Sequence, residues 1–140
     1  MEKRQKRNNM RAKKVLVADA SPDCRDLLRL YLNFLRYPAP IVAQDGSDAL
    51  IKALRERPDV IIMEVFLPKM SGFDIVAQLR SSPHTRDAWI LAATAMAMPG
   101  DREKCLTRGF DAYLAKPFTM EELKRLLPCN SHTELDEPGR

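Results

Sequence analysis

The sequence predicts an α/β protein, a parallel sheet of five strands wound with helices on both faces. Three observations predict it. From Val15 onward, short apolar runs of strand length alternate with segments of helical periodicity. The runs are continuously apolar rather than alternating, as in strands covered on both faces. Polar residues (Asp19, Glu64, Thr94 and Lys116) stand at the carboxyl ends of four of these runs, where open α/β sheets carry their functional sites.

The elements follow in order. VLVA (15–18) is the first strand, and Ser21-Pro22 supplies an N-cap followed by proline at the first helical position. Cys24, Leu27, Leu28, Tyr31 and Leu35 recur at helical spacing through Arg36, and Pro38 and Pro40 break that helix. IVAQ (41–44) is the second strand. Asp45-Gly46 turns into a helix whose inner face is Ala49, Leu50, Ala53 and Leu54, and Pro58 ends it. VIIM (60–63) is the third strand, the most buried by its pattern. Ser71 with Asp74 resembles a capping box opening a helix that carries Ile75, Val76 and Leu79. WILAAT (89–94) is the fourth strand; Pro99 starts a helix through Arg108, with Gly109 placed to cap its end. AYLA (112–115) is the fifth strand, and Thr119 with Glu122 caps a last helix ending near Leu127.

The bulk properties narrow the function classes. A chain of 140 residues with 45% hydrophobic and 30% charged content is one ordinary globular domain. No apolar run approaches the ~20 residues of a membrane span. Cys24, Cys105 and Cys129 show no CxxC spacing, which points to reduced thiols and a cytoplasmic setting rather than a disulfide framework or zinc site. The net charge of +4 is unevenly spread: residues 1–14 carry seven Lys/Arg against one Glu, so the rest of the chain is mildly acidic. The expected organisation is a basic, disordered leader over 1–13, a folded domain over 14–127 and a short polar tail over 128–140. The leader could serve as a handle for nucleic acid or an acidic partner. It has no aromatic residue for stacking on bases, so specific nucleic-acid recognition is not expected.

The order and spacing of these fragments resemble the response-regulator receiver family of two-component signalling, over about residues 14–127. VLVADASPD is similar to the family's first strand and acidic turn, and PDVIIMEVFLPKMSGFDI to the strand and loop bearing its phosphate-accepting aspartate. ILAATAMAMPGDREKCLTRGFDAYLAKPF is similar to the stretch with the switch threonine, the fourth helix, the switch aromatic and the lysine-proline pair. The resemblance implies a flavodoxin-like (βα)5 sheet of order 2-1-3-4-5 and a cis Lys116–Pro117 bond. It also implies a Mg²⁺ site using Asp19, the position of Glu64 and the backbone carbonyl of Phe66. Thr94, Tyr113 and Lys116 fall on the family's switch threonine, switch aromatic and lysine.

Two positions depart from the family pattern. Ala20 stands where a second metal-holding acid is expected, and Glu64 stands at the phosphoacceptor position in place of aspartate. Mg²⁺ demands near-octahedral hard oxygen ligands, so Mg²⁺ binding should be weak or lost. The extra methylene of Glu64 displaces its carboxylate by roughly 1.5 Å, enough to cost about 100-fold in an in-line transfer. Little or no phosphorylation is expected. Glu64 would then imitate the phosphorylated state in part, leave a state-neutral scaffold, or retain some regulated phosphorylation.

The expectation is thus a pseudo-receiver, not an enzyme, that works through protein–protein contact. With thirteen residues after Leu127, its output is expected to pass through a separate signalling protein. That partner would meet the face of the fourth helix, fifth strand and fifth helix, including Arg102, Glu103, Tyr113 and Glu122. A histidine kinase and a second copy of the chain are further candidate partners. A phosphatase with Asp19 as nucleophile would want a carboxylate where Ser21 stands, and no G-x-S-x-G, P-loop or Gly-rich dinucleotide turn is present. His84 and His132 lack ligand-spaced partners. Met96 and Met98 could be core or a soft contact surface.

Overall fold

In the structure of this chain, a computed structural model, residues 13–128 are described. Cys129 and the expected leader and tail, apart from Lys13 and Pro128, lie outside the described residues; Lys13 itself is buried. The five strands are β1 (Val15–Ala18), β2 (Ile41–Ala43), β3 (Val60–Met63), β4 (Trp89–Thr94) and β5 (Ala112–Ala115). They alternate with α1 (Pro22–Phe34), α2 (Gly46–Glu56), α3 (Gly72–Ser81), α4 (Asp101–Thr107) and α5 (Met120–Leu126). All pairings are parallel, in the order β2-β1-β3-β4-β5. This is the flavodoxin-like topology that the resemblance implies.

The caps are local and explicit. The side chains of Ser21, Asp45, Ser71 and Thr119 accept from the backbone N–H groups of Cys24, Asp48, Asp74 and Glu122. At α5 Glu122 returns the bond to the Thr119 N–H, completing a capping box.

Two core layers flank the sheet. Leu28 and Leu32 of α1 and Leu123 of α5 pack on one face with Val15, Val17, Ile62 and Leu91. Ala49 and Ala53 of α2, Ile75, Val76 and Leu79 of α3, and Cys105 of α4 pack on the other, with Leu16, Ile61 and Ile90.

Several sequence expectations are corrected. Leu27 and Leu54, placed on inner faces by periodicity, are exposed, while Leu32, absent from that pattern, is fully buried. A helix period tolerates two neighbouring phases, and the direction of the sheet chooses between them. Helix α1 stops at Phe34 rather than Arg36 because Arg36 turns left-handed (φ 68°) and the Tyr37 N–H reaches back to the Leu32 carbonyl. Pro99 does not start α4: Gly100 adopts φ 91°, the Asp101 carboxylate accepts from the Met98 N–H at 2.7 Å, and the helix begins at Asp101.

Glycine is required at two close backbone approaches, the milder at Gly72, where a Cβ would stand 2.9 Å from the Val65 Cα, and the tighter at Gly46. A Cβ on Gly46 would stand 1.9 Å from the Met70 carbonyl oxygen, whereas one on Gly100 would meet nothing within 4 Å. We predict that Gly46→Ala destabilises the fold by about 1–3 kcal/mol or more through forced overpacking. Gly100→Ala should cost only the roughly 1–2 kcal/mol of a left-handed backbone. Urea unfolding of both variants checks the order, and equal losses would contradict it.

Candidate functional site

Backbone pairing sets the site before any side chain does. Ala18 of β1 lies opposite Met63 of β3, and the next residues remain joined, with Glu64 N–H donating to the Ala18 carbonyl at 3.0 Å. Thr94 lies opposite Ala115, and Lys116 N–H donates to the Thr94 carbonyl at 2.9 Å. Asp19, Glu64, Thr94 and Lys116 are therefore delivered to one edge of the sheet, with Asp19, Glu64 and Thr94 respectively 4%, 7% and 0% exposed.

The ammonium of Lys116 bridges the two carboxylates, 2.6 Å from Asp19 Oδ2 and 3.0 Å from Glu64 Oε1. Asp19 Oδ1 accepts from the Ser21 N–H at 2.9 Å. Glu64 Oε1 also accepts from the Ala95 N–H at 3.2 Å, and Oε2 accepts from the Phe66 N–H at 3.1 Å and from the Thr94 hydroxyl. Thr94 Oγ1 in turn accepts from the Met96 N–H at 3.1 Å, and the Tyr113 hydroxyl donates to the Met96 carbonyl. Tyr113 is partly buried and packs against the α2–α3–α4 core layer. The Lys116–Pro117 bond is cis.

Burial alone would raise the Glu64 carboxyl, but the bonds from Thr94, the Phe66 N–H and Lys116 together outweigh it and hold the group below its ordinary value. Burial likewise opposes the charged form of Lys116, yet the bonds it donates to Asp19 and Glu64 push its ammonium well above the ordinary lysine value. Burial raises the Tyr113 phenol, with the Asp101 charge adding to it.

This donor set fits Mg²⁺ poorly. All four carboxylate oxygens already accept hydrogen bonds, the ammonium stands between the two acids, and Ala20 adds no oxygen. Among the described residues no group of three or more His, Cys, Asp or Glu side chains could hold a metal ion. The Phe66 N–H points to Glu64, and its side chain is exposed.

The structure thus gathers Asp19, Glu64, Thr94 and Lys116 directly, reaches Tyr113 through Met96, and brings Phe66 in by its backbone. Sequence reasoning missed the Ser21, Phe66 and Ala95 N–H donors and the close Asp19–Lys116 pair. Backbone donors leave no residue-type signal. Strands β1 and β5 are separated by β3 and β4, so only their shared carboxyl-end side of the sheet could have suggested the ion pair. Met96 packs on the core and Met98 is exposed, beside an open groove lined by Phe66, Phe73, Ala97 and Lys104. Cys24 and Cys105 are free thiols.

The lowered Glu64 pKa has a defined sign. Its contribution to stability is present above the unfolded value of about 4.3 and is lost as pH falls through the lower native value. The raised Lys116 pKa contributes fully below about 10.4 and is lost as pH rises through the native value. We predict that Glu64→Gln lowers the melting temperature at neutral pH, with the difference from the parent shrinking below about pH 4.3. A difference that persists undiminished in acid would contradict the contacts described.

Comparison with known proteins accords with this geometry. The family model of the response regulator receiver domain matches residues 15–127. A 14.6 kDa protein of the sodA1 3' region of Leptolyngbya boryana is 37% identical over 113 residues, covering 81% of this chain and 86% of that protein. The response regulator MprA of Mycolicibacterium vanbaalenii is 38% identical over 110 residues, covering 79% of this chain but 46% of MprA. The chain thus spans about half the length of several relatives that it matches. Among solved structures, the receiver domain of the sensor histidine kinase PA1611 of Pseudomonas aeruginosa superposes with a TM-score of 0.75 at 35% identity, over 82% of this chain and 93% of that one. That structure holds a magnesium ion in its active-site cleft. The chemotaxis response regulator CheY4 of Vibrio cholerae gives a TM-score of 0.75 at 33% identity, over 83% of this chain and 99% of that one. Matched in sequence over its folded core and in topology over its whole sheet, the chain belongs to the response regulator receiver domain family.

Proposed function

We propose that this chain is an atypical receiver that signals by protein–protein contact, in a cytoplasmic setting, with little or no phosphorylation. The observation that carries this reading is the satisfied state of Glu64. At the acceptor position, its two oxygens accept from Lys116, Ala95, Phe66 and Thr94. An attacking carboxylate needs a free, aligned oxygen and a charge-neutralising metal; here the oxygens are engaged and the internal ammonium supplies the positive charge. Mg²⁺ is held weakly, because binding it would require displacing Lys116 or recruiting water where Ala20 offers no ligand.

Glu64 also holds the switch pair. Its hydrogen bond from Thr94 leads through Met96 to Tyr113, and this supports a partial imitation of the phosphorylated state over a neutral scaffold. The imitation is partial because a carboxylate carries one charge, against the ~−2 and three acceptor oxygens of a phosphoryl group. The output surface is the face of α4, β5 and α5, where Arg102, Glu103 and Glu122 are exposed and Tyr113 is partly so. Its partner is another signalling protein.

Incubation with Mg²⁺ and acetyl phosphate is expected to leave the intact mass of the chain unchanged. Ala20→Asp combined with Glu64→Asp should restore Mg²⁺ binding and a gain of about 80 Da. A stoichiometric gain on the parent chain, mapped to Glu64 or Asp19, would overturn the reading. In a second experiment, Glu64→Ala should shift the Ala95 and Met96 amide resonances and loosen the Tyr113 ring. If that ring is unaffected, the carboxylate sets no switch.

A further inference from the structure

Helix α4 gathers two cations over one aromatic ring. The Lys104 ammonium and the Arg108 guanidinium lie 5.2 and 4.6 Å from the centroid of Phe73. That ring is held by the buried Phe110, edge to face at a centroid distance of 6.3 Å. Both cations are exposed, and among the described residues neither forms an ion pair with a carboxylate. Both acids of α4 are engaged elsewhere: Asp101 accepts from the Met98 N–H at 2.7 Å, and Glu103 faces Arg102 at 4.0 Å. Like charges at i and i+4 on a helix repel. The ring face offsets part of that repulsion and leaves the N–H donors of both cations open to a carboxylate.

The cations adjoin an open apolar groove of about 500 Å³, which Lys104 and Phe73 line together with Phe66, Met96 and Met98. Phe66 and Met98 are 62% and 72% exposed. We propose that this groove between α3 and α4 docks an acidic peptide segment of another signalling protein. An apolar side chain of that segment would lie against Phe66 and Met98, and its carboxylates would meet Lys104 and Arg108. Charge selects this class of occupant. A stacked guanidinium keeps its planar fork free for a carboxylate, and an anion set beside both cations relieves their mutual repulsion. A basic or purely apolar segment would leave that repulsion in place.

The surface lies on the α3 side of α4, apart from the face of α4, β5 and α5. Occupancy reaches the buried cluster through two backbone amides. Ala95 and Met96 also line the groove, and their N–H groups bond to the Glu64 carboxylate and the Thr94 hydroxyl. The inference rests on the reading that this chain signals by protein contact, to which it adds a surface and the partner's chemistry.

The test is a titration of the isotope-labelled full chain with a short synthetic peptide, glutamates around a central leucine–phenylalanine pair. Amide resonances and fluorescence anisotropy report binding. The expected result is saturable shifts at Ala95, Met96, Met98 and Lys104, with a Kd between about 10 µM and 1 mM. Lys104→Glu combined with Arg108→Glu and, independently, Met98→Asp should each weaken binding at least about tenfold, with far-UV circular dichroism unchanged. The same peptide with lysines in place of glutamates should not bind. Absence of binding up to about 1 mM, equal binding of the lysine peptide, or indifference to both sets of variants would overturn the proposal. So would capture of anionic phospholipid vesicles without peptide binding, which would make the occupant a membrane surface. Shifts confined to Tyr113 and Glu122 would sink the groove and spare the contact reading, whereas phosphorylation of the parent chain would do the reverse.

Discussion

The structure depends on keeping two carboxylates charged below the surface. Asp19 and Glu64 sit at adjacent strand ends with little solvent, where each would otherwise lose the hydration that makes its charge tolerable. Lys116 lies between them, and hydrogen-bond donors reach all four oxygens. Removing Lys116 would leave two buried carboxylates without their cation, which costs more than the intact cluster gains. The sheet order follows the same demand. Only with β1 beside β3, β3 beside β4 and β4 beside β5 do Asp19, Glu64, Thr94 and Lys116 share an edge. The glutamate closes this cluster from within, because its added length lets one carboxylate reach the lysine, the threonine and two loop amides together.

Much of this was legible in the sequence because the signals were local. The strands VLVA, VIIM, WILAAT and AYLA appear at their expected positions, since continuous apolar runs between turn residues admit few other readings. Ser21, Asp45, Ser71 and Thr119 marked helix starts because one side chain and one amide suffice to make a cap. The convergence of Asp19, Glu64, Thr94 and Lys116 followed from their places at strand ends. Less legible was whatever depends on the rest of the fold. Leu27 and Leu32 are both apolar on one helix, and only the position of the sheet decides which is buried. The start of α4 was misread because Pro99 is a strong local signal, whereas the Met98–Asp101 turn that delays the helix is set by Gly100 taking a positive φ. The amides of Phe66 and Ala95 belong to residues whose side chains say nothing about a site.

Close loop packing also places the acceptor segment. Gly46 N–H donates to the Pro68 carbonyl at 2.9 Å, Lys69 pairs with Asp45 at 3.5 Å, and Gly72 N–H donates to the Val65 carbonyl at 2.8 Å. The turn after β3 is thereby tied to the start of α2 on one side and to its own strand on the other. This fastening directs the Phe66 N–H at Glu64 while its ring stays in solvent. Helix α4 is joined to α3 more loosely, through the Lys104 and Arg108 cations over the Phe73 ring at 5.2 and 4.6 Å.

At the opposite edge of the sheet, Arg80 bonds to the carbonyls of Arg86, Ala88 and Gly109 and to the Asp111 carboxylate, all at 2.7–3.0 Å. Asp111 in turn accepts the Ile90 N–H at 2.8 Å. A single guanidinium therefore clamps the segments entering β4 and β5 to the end of α3. The sheet acquires uneven stiffness along its length: these two strands are fixed where they begin and governed by the Glu64–Lys116 cluster where they finish. Any rearrangement of that cluster acts on them as on a pair of cantilevers rooted at Arg80, with the greatest travel at the ends that carry Thr94 and Lys116.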